Sequence, residues 1–441
     1  MYRVKTGLLF SLLALSLLLS PSLNAQETPL TIVASHSIAA DVIARVAGDD
    51  AEVVTLIPRG SDPHSFRPTP ASLRLLADAD LVFVNGANYE EGLLSVIDVA
   101  VEHEKLFVIS ECVPIVPGGH THEHNGHGHG HGEDDDHGDE DHHEGEDDDH
   151  GDEDHHEGED DDHADEDHHD DEDDDHGDED HHEDEDDNHG DEDHHEDEDD
   201  DHADEHDHED EDDHHEIAIH EDAEERCAQH EMELGERFLK LQDDEASPGP
   251  LYAVDCEALG GCDPHVWLQP RNIAHWTLTV RDILATHDSA HAEGYFERSE
   301  AYLQEIEALE QDVLLPLIAT LPVELRLLVS HHLSLGYFAG TYGFAELGSV
   351  VPGRSTMAEP GVAELAALID LVRERNLPAI FGETTSSDDL IRQVATETGA
   401  TLVNLDMESL GEEDGPIGTW IGMMRSNAEA IVNALADEMS G

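Results

Sequence analysis

Three histidine positions stand out because proline or a strand end braces each of them. His64 lies in PRGSDPHSFRPTP and His265 in DPHVWLQP, while His331 and His332 follow directly on the apolar run RLLVS. Neutral imidazole is a common ligand for zinc, copper and nickel. One surface histidine says little, but several at strand ends or in stiffened loops point to a shared metal ion. Acids in similar places could complete the set: Asp406 and Glu408 follow the run TLVNL, and Glu383 ends the run AIFGE. Zinc takes imidazole nitrogen and carboxylate oxygen together in tetrahedral geometry. Glu383 has a competing explanation as an acid ahead of a helix predicted over 388–398, where the helix dipole favours negative charge.

These residues need a scaffold that brings distant stretches together. LTIVAS at Leu30, AEVVTLI at Ala51, LVFVNG at Leu81 and KLFVIS at Lys105 are short runs rich in Val and Ile, as buried parallel strands are. RLLVS at Arg326, GSVVP at Gly348, AIFGE at Ala379 and TLVNL at Thr401 repeat the pattern. Helical spacing lies between them, over 38–47, 72–77, 362–375 and 390–398. The predicted fold class is α/β: two lobes, each with a mostly parallel sheet flanked by helices, joined by one long rigid helix. That helix is predicted over 291–316, where Tyr302, Ile306, Leu309 and Val313 share a face and Pro316 ends the run. The first lobe would then comprise 26–119 and 216–290, and the second 317–441.

Charge sets one segment apart. The 441 residues carry 19 Lys plus Arg against 110 Asp plus Glu, a formal net charge of -91. Such a surface repels phosphate backbones and anionic membranes, which excludes nucleic acid as a partner and favours cations. Residues 120–215 hold 26 of the 37 His and 55 of the acids with no Lys or Arg. A 13-residue unit, HGDEDHHEGEDDD, starts at His137 and again at His150, with variants following. It contains no Leu, Ile, Val or Phe to bury, so a disordered insert is expected. A plain linker has no use for a His pair in nearly every repeat, and metal buffering is the better reading.

The N-terminus carries Arg3 and Lys5, an apolar run from Gly7 to Leu19 and a small-residue end at Ala25. A run this short is a cleaved signal peptide over 1–25 rather than a membrane anchor. It ends without a cysteine for lipid attachment, so a soluble periplasmic protein with no direct membrane insertion is expected. Four cysteines in an oxidising compartment imply disulfides, and Cys112–Cys227 with Cys256–Cys262 is the favoured pairing. The sequence lacks HExxH and GxSxG, so a hydrolase has no motif to stand on and no enzyme is expected.

The motifs GSDPHSFRPTP, DPHVWLQPRN, SHHLSLGYFAGTYGF, FGET and LDMESLG together resemble the metal-binding solute-binding proteins of ABC importers (cluster A-I), in particular the zinc-uptake type. The resemblance covers nearly all of the chain outside the leader and the His/acid tract. It implies a Zn2+ site of His64, His265, His332 and Glu408, with His332 chosen over His331 because it stands five residues before Tyr337. Leu333 occupies a position where the family often has Asp, and Asp406 is the substitute for Glu408. The resemblance further implies a monomer that delivers Zn2+ to a membrane permease with a separate ATPase, with the tract as a low-affinity gatherer. The other readings are a secreted metal store or chaperone and a manganese-binding relative.

Overall fold

The computed structural model describes residues 29–90, 92–118, 219–242 and 247–436. The predicted signal peptide and the His/acid tract lie outside the described residues. The first sheet contains β1 (Leu30–Ala34), β2 (Ala51–Thr55), β3 (Leu81–Val84) and β4 (Leu106–Val108), all parallel, in the order β2-β1-β3-β4. Its crossovers include α1 (Ser37–Ala47), α2 (Pro70–Asp78) and α3 (Leu94–Ala100). The α2 helix starts where the sequence permits it: Thr69 and Ser72 form a reciprocal capping box, and Pro70 takes the first position, where its missing N–H costs nothing.

After the tract come α4 (Ala223–Leu234), α5 (Pro270–His287) and α6 (Ala292–Ala308). A π-helical turn at Leu309–Leu314 and a short α7 (Leu315–Ile318) continue α6. The helical run therefore passes Pro316 instead of stopping there. Pro316 lies in the first turn of α7, where no intrahelical N–H is needed, and Leu315 bonds back five residues to Glu310. The wider turn also shifts the phase of the buried face. Tyr302, Ile306 and Leu309 are buried as predicted, but Leu314 replaces Val313. Helix α6 packs on α1 and α5, and the π-turn and α7 that continue it pack on the C-terminal helix.

The second sheet repeats the first: β5 (Leu327–Ser330), β6 (Ala345–Ser349), β7 (Ala379–Glu383) and β8 (Thr401–Leu405), parallel, in the order β6-β5-β7-β8. The strand expected from Gly348 is displaced towards the N-terminus. Residues 345–349 make the ladder, and the buried Val350 and Val351 bond instead to Ser330 and His331 as the chain leaves the sheet. Helices α8 (Gly336–Tyr342), α9 (Val362–Arg375) and α10 (Asp389–Thr398) flank this sheet. The last helix, α11 (Trp420–Ala436), packs on β7, β8 and α1, so it touches both lobes. One apolar core runs from the first sheet through Trp267, Trp276 and Trp420 to α11, and a smaller one lies between the second sheet, α9 and α10.

Both sheets reverse strand order between their first and third strands. In open parallel sheets, ligands collect outside the carboxyl ends at such a reversal.

Candidate metal centre

Each predicted donor leaves the carboxyl side of a sheet or a braced loop. His64 follows β2, His332 follows β5 and Glu408 follows β8, while His265 opens a short turn before α5. The structure brings these four together, with one donor atom from each lying within 4.8 Å of all the others. His265 Nε2 is 3.0 Å from Glu408 Oε1, and His332 Nε2 is 3.5 Å from the same oxygen. His64 Nε2 is 3.9 Å from Glu408 Oε2. Donors placed tetrahedrally about zinc at about 2.0–2.1 Å stand roughly 3.3 Å apart, which these distances bracket. His265, His332 and Glu408 have fully buried side chains, whereas the His64 side chain keeps 7 % exposure.

A carboxylate stands behind each of two of the rings. Asp263 Oδ1 lies 2.7 Å from His265 Nδ1, and Glu383 Oε1 lies 2.6 Å from His332 Nδ1. With a proton held on His265 Nδ1 by Asp263, the His265 Nε2 lone pair faces His332 Nε2 across 3.1 Å. That approach is repulsive unless a cation or a proton lies between them. The buried His64 Nε2 and both Glu408 oxygens have no hydrogen-bond partner, an expensive arrangement without a ligand.

Electrostatics agree with a cation-seeking pocket. Burial pulls the pKa of His265 down, but Glu408 and Asp263 outweigh it and lift the value to about 10. Burial likewise opposes a charged His332, and Glu383 more than restores it. At His64 burial wins and the pKa falls. Glu408 is pushed up by burial yet held below its ordinary value by the three imidazoles, His265 foremost. A metal ion would displace the shared protons, as ligand binding to a metal requires.

The neighbours that the sequence left as alternatives go elsewhere. Asp406 accepts from Thr384 Oγ1 at 2.7 Å, and its backbone is clamped by Asn427. His331 Nδ1 stands 3.6 Å from Glu383 Oε2, outside the group of four. Glu383 is not a helix-dipole acid, since Asp389 fills that role in α10 and Glu383 is spent on His332.

Packing around the site joins the lobes. Trp267 Nε1 donates to the Met407 carbonyl at 2.8 Å, fixing the turn that presents Glu408, and Trp420 Nε1 donates to the Trp267 carbonyl. Ser409 Oγ accepts from the Gly60 N–H at 2.8 Å and meets Ser37 Oγ. The predicted disulfides, Cys112–Cys227 and Cys256–Cys262, are both present. Sequence reasoning missed the role of Asp263. Its signal was available, because the tripeptide Asp-Pro-His occurs at 62–64 and at 263–265.

Known proteins share this framework. The manganese-binding lipoprotein MntA of Halalkalibacterium halodurans is 31 % identical over 193 residues, 44 % of this chain and 63 % of that protein. The iron-binding protein YfeA of Yersinia pestis is 34 % identical over 174 residues, 39 % of this chain and 55 % of that protein. The chain thus spans less than two thirds of the curated relatives it matches. The solved periplasmic zinc-binding protein TroA of Treponema pallidum superposes with a TM-score of 0.57 at 17 % identity, covering 92 % of this chain and 99 % of TroA. This likeness shows the same two-lobe fold. A family model described as "Zinc-uptake complex component A periplasmic" matches residues 32–434, and the chain belongs to that family, ZnuA.

Proposed function

We propose that this protein captures one Zn2+ between its lobes, on His64, His265, His332 and Glu408, and delivers it to the permease of an ABC importer. The observation that carries this reading is the pair of inward-facing Nε2 atoms 3.1 Å apart, each backed by a carboxylate on Nδ1. Three imidazoles with one carboxylate suit zinc, whereas manganese favours more oxygen donors. Relatives named for manganese and iron make the metal itself the point to test. Four protein donors leave no open vertex for an activated water, so the site suits carriage rather than catalysis. Among the described residues no helix is long and apolar enough to cross a membrane, and the reading assigns the pore and the ATPase to other chains. The reading includes a periplasmic location, a cleaved signal peptide, a monomeric carrier and a low-affinity gathering role for residues 120–215.

Calorimetric competition of Zn2+ against Mn2+, Cu2+ and Ni2+ tests the reading on protein lacking 120–215. One tight zinc ion should remain and should be lost in the His265→Ala/His332→Ala variant. Loss of tight binding along with the tract would favour the metal-store reading instead.

A further inference from the structure

The two Asp-Pro-His tripeptides do the same two things. In each, Asp Oδ1 accepts the backbone N–H of its own histidine, at 2.9 Å for Asp62 with His64 and 3.1 Å for Asp263 with His265. This local turn ties the backbone of the histidine to the Asp side chain. In each, the other oxygen reaches across to the second lobe. Asp62 Oδ2 accepts from Thr356 Oγ1 at 3.0 Å, and Asp263 Oδ2 accepts from Arg354 Nη1. Arg354 and Thr356 belong to one loop, between β6 and α9. That loop is itself pinned to the segment carrying His332: Leu333 N–H donates to the Gly353 carbonyl at 2.9 Å, and Val351 N–H donates to the His331 carbonyl at 2.7 Å.

We propose that Arg354 and Thr356 are positioning residues that act as a clip, setting His265 and His64 of the first lobe against His332 of the second. The proposal rests on the zinc-capture reading above. Neither side chain is a ligand. Through this loop the two Asp-Pro-His segments and the segment bearing His332 form one hydrogen-bonded unit, so three donors depend on where the loop sits. Gly336 is part of the arrangement, because a Cβ there would stand 2.7 Å from Asp263 Oδ2 and 3.2 Å from Arg354 Nη1. The Gly-Tyr step at 336–337 thus has a physical cause: the glycine admits the ion pair, and Tyr337 reaches the same segment through the Asp263 carbonyl.

The test uses the full-length chain with Zn2+ alone, read by tryptophan emission in competition with a chelator. Trp267 lies 5.5 Å from the His265 ring, and residues 120–215 contain no Trp or Tyr, so the signal reports the cleft. Thr356→Val should weaken binding about tenfold and Thr356→Ser should restore it; Arg354→Gln should weaken it about 10- to 100-fold. The discriminating step is the background. Thr356→Val should lose its effect when His64→Ala is already present and keep it with His265→Ala, and Arg354→Gln should show the reverse. Equal losses in both backgrounds, or no loss in either, would overturn the clip. Native protein whose emission ignores Zn2+ would overturn the metal reading itself, and the clip with it. Native binding with unchanged variants would remove only the clip.

Discussion

Replacing Glu383 separates a metal-tuning role from a scaffold role. Its Oε1 stands 2.6 Å from His332 Nδ1, both groups are buried, and Ser386 Oγ donates to its other oxygen at 3.3 Å. The His332 charge holds the Glu383 pKa well below the ordinary carboxylate range against the upward push of burial. The negative charge beside Nδ1 therefore favours the proton on that nitrogen and raises the basicity of Nε2, the atom aimed at the cleft. Outer partners of this kind contribute about 10- to 100-fold in metal affinity, equivalent to about 1.4–2.7 kcal/mol. Glu383→Gln keeps an acceptor but removes the charge, so it should lie near the tenfold end. Glu383→Ala also releases the tautomer and should approach the hundredfold end. Zinc titration against a chelator, followed by tryptophan emission, gives the affinity, and thermal unfolding of the metal-free variants gives the stability. Had Glu383 served only the helix dipole, Glu383→Ala would cost about 0.3–1 kcal/mol of stability and leave zinc affinity unchanged. That pair of results would refute the reasoning.

The remaining predictions concern stability. His36 is buried among Tyr89, Trp267 and Trp276 with neither ring nitrogen hydrogen-bonded, and burial lowers its pKa from 6.5 to about 3. The folded imidazole stays neutral until pH approaches 3 while the unfolded chain takes up its proton near 6.5, so the stability is fully present above about pH 6.5 and is lost as pH falls towards 3. Denaturant unfolding of the metal-free protein between pH 6.5 and 5 should therefore lose about 1 kcal/mol per pH unit more than the His36→Leu variant; parallel slopes would count against this. Gly336→Ala should cost about 1–3 kcal/mol by forcing apart Asp263 and Arg354, and should weaken zinc binding in the same preparation. A melting temperature and affinity equal to native would show that the close approach relaxes freely. The Cys112–Cys227 bridge closes a separation of 115 residues, for which loop entropy suggests about 4–5 kcal/mol. The Arg226–Glu111 ion pair beside it retains part of the contact, so the double Ser variant should lose about 2–5 kcal/mol in urea unfolding. A loss below about 1 kcal/mol would mean that the ends stay together without the bond.

Much of the fold was legible because short Val/Ile runs and helix caps are local signals. The eight strands among the described residues lie at or near the expected runs, and of these only the run at Gly348 is displaced. There the buried Val350 and Val351 mimic a strand, but their backbone bonds belong to the turn beyond β5. The phase of α6 was misread after Leu309, since a π-turn inserts a residue without changing composition. Arg354 and Thr356 carried no legible signal, because an ordinary loop becomes informative only when its partners across the lobes are known.

By itself the sequence determined the kinds of donor atom present and that three of the four follow strand ends. It also set the His/acid tract apart by composition. Only the tertiary structure shows which neighbours come together: His332 and Glu408 join His64 and His265, while His331 lies against Glu383. His331 and His332 are adjacent, and the chain leaving β5 turns just one of them into the cleft. Ser330 Oγ bonding to the His332 carbonyl at 2.6 Å, together with Glu383, holds that turn. Asp406 and Glu408 both lie just past β8, which ends at Leu405, so the strand period does not reach them and cannot choose between them. The choice falls to Thr384 and Asn427, which hold Asp406, and to Trp267, which holds the turn before Glu408. Each of these contacts joins residues that lie together only after folding, and local spacing carries no record of them.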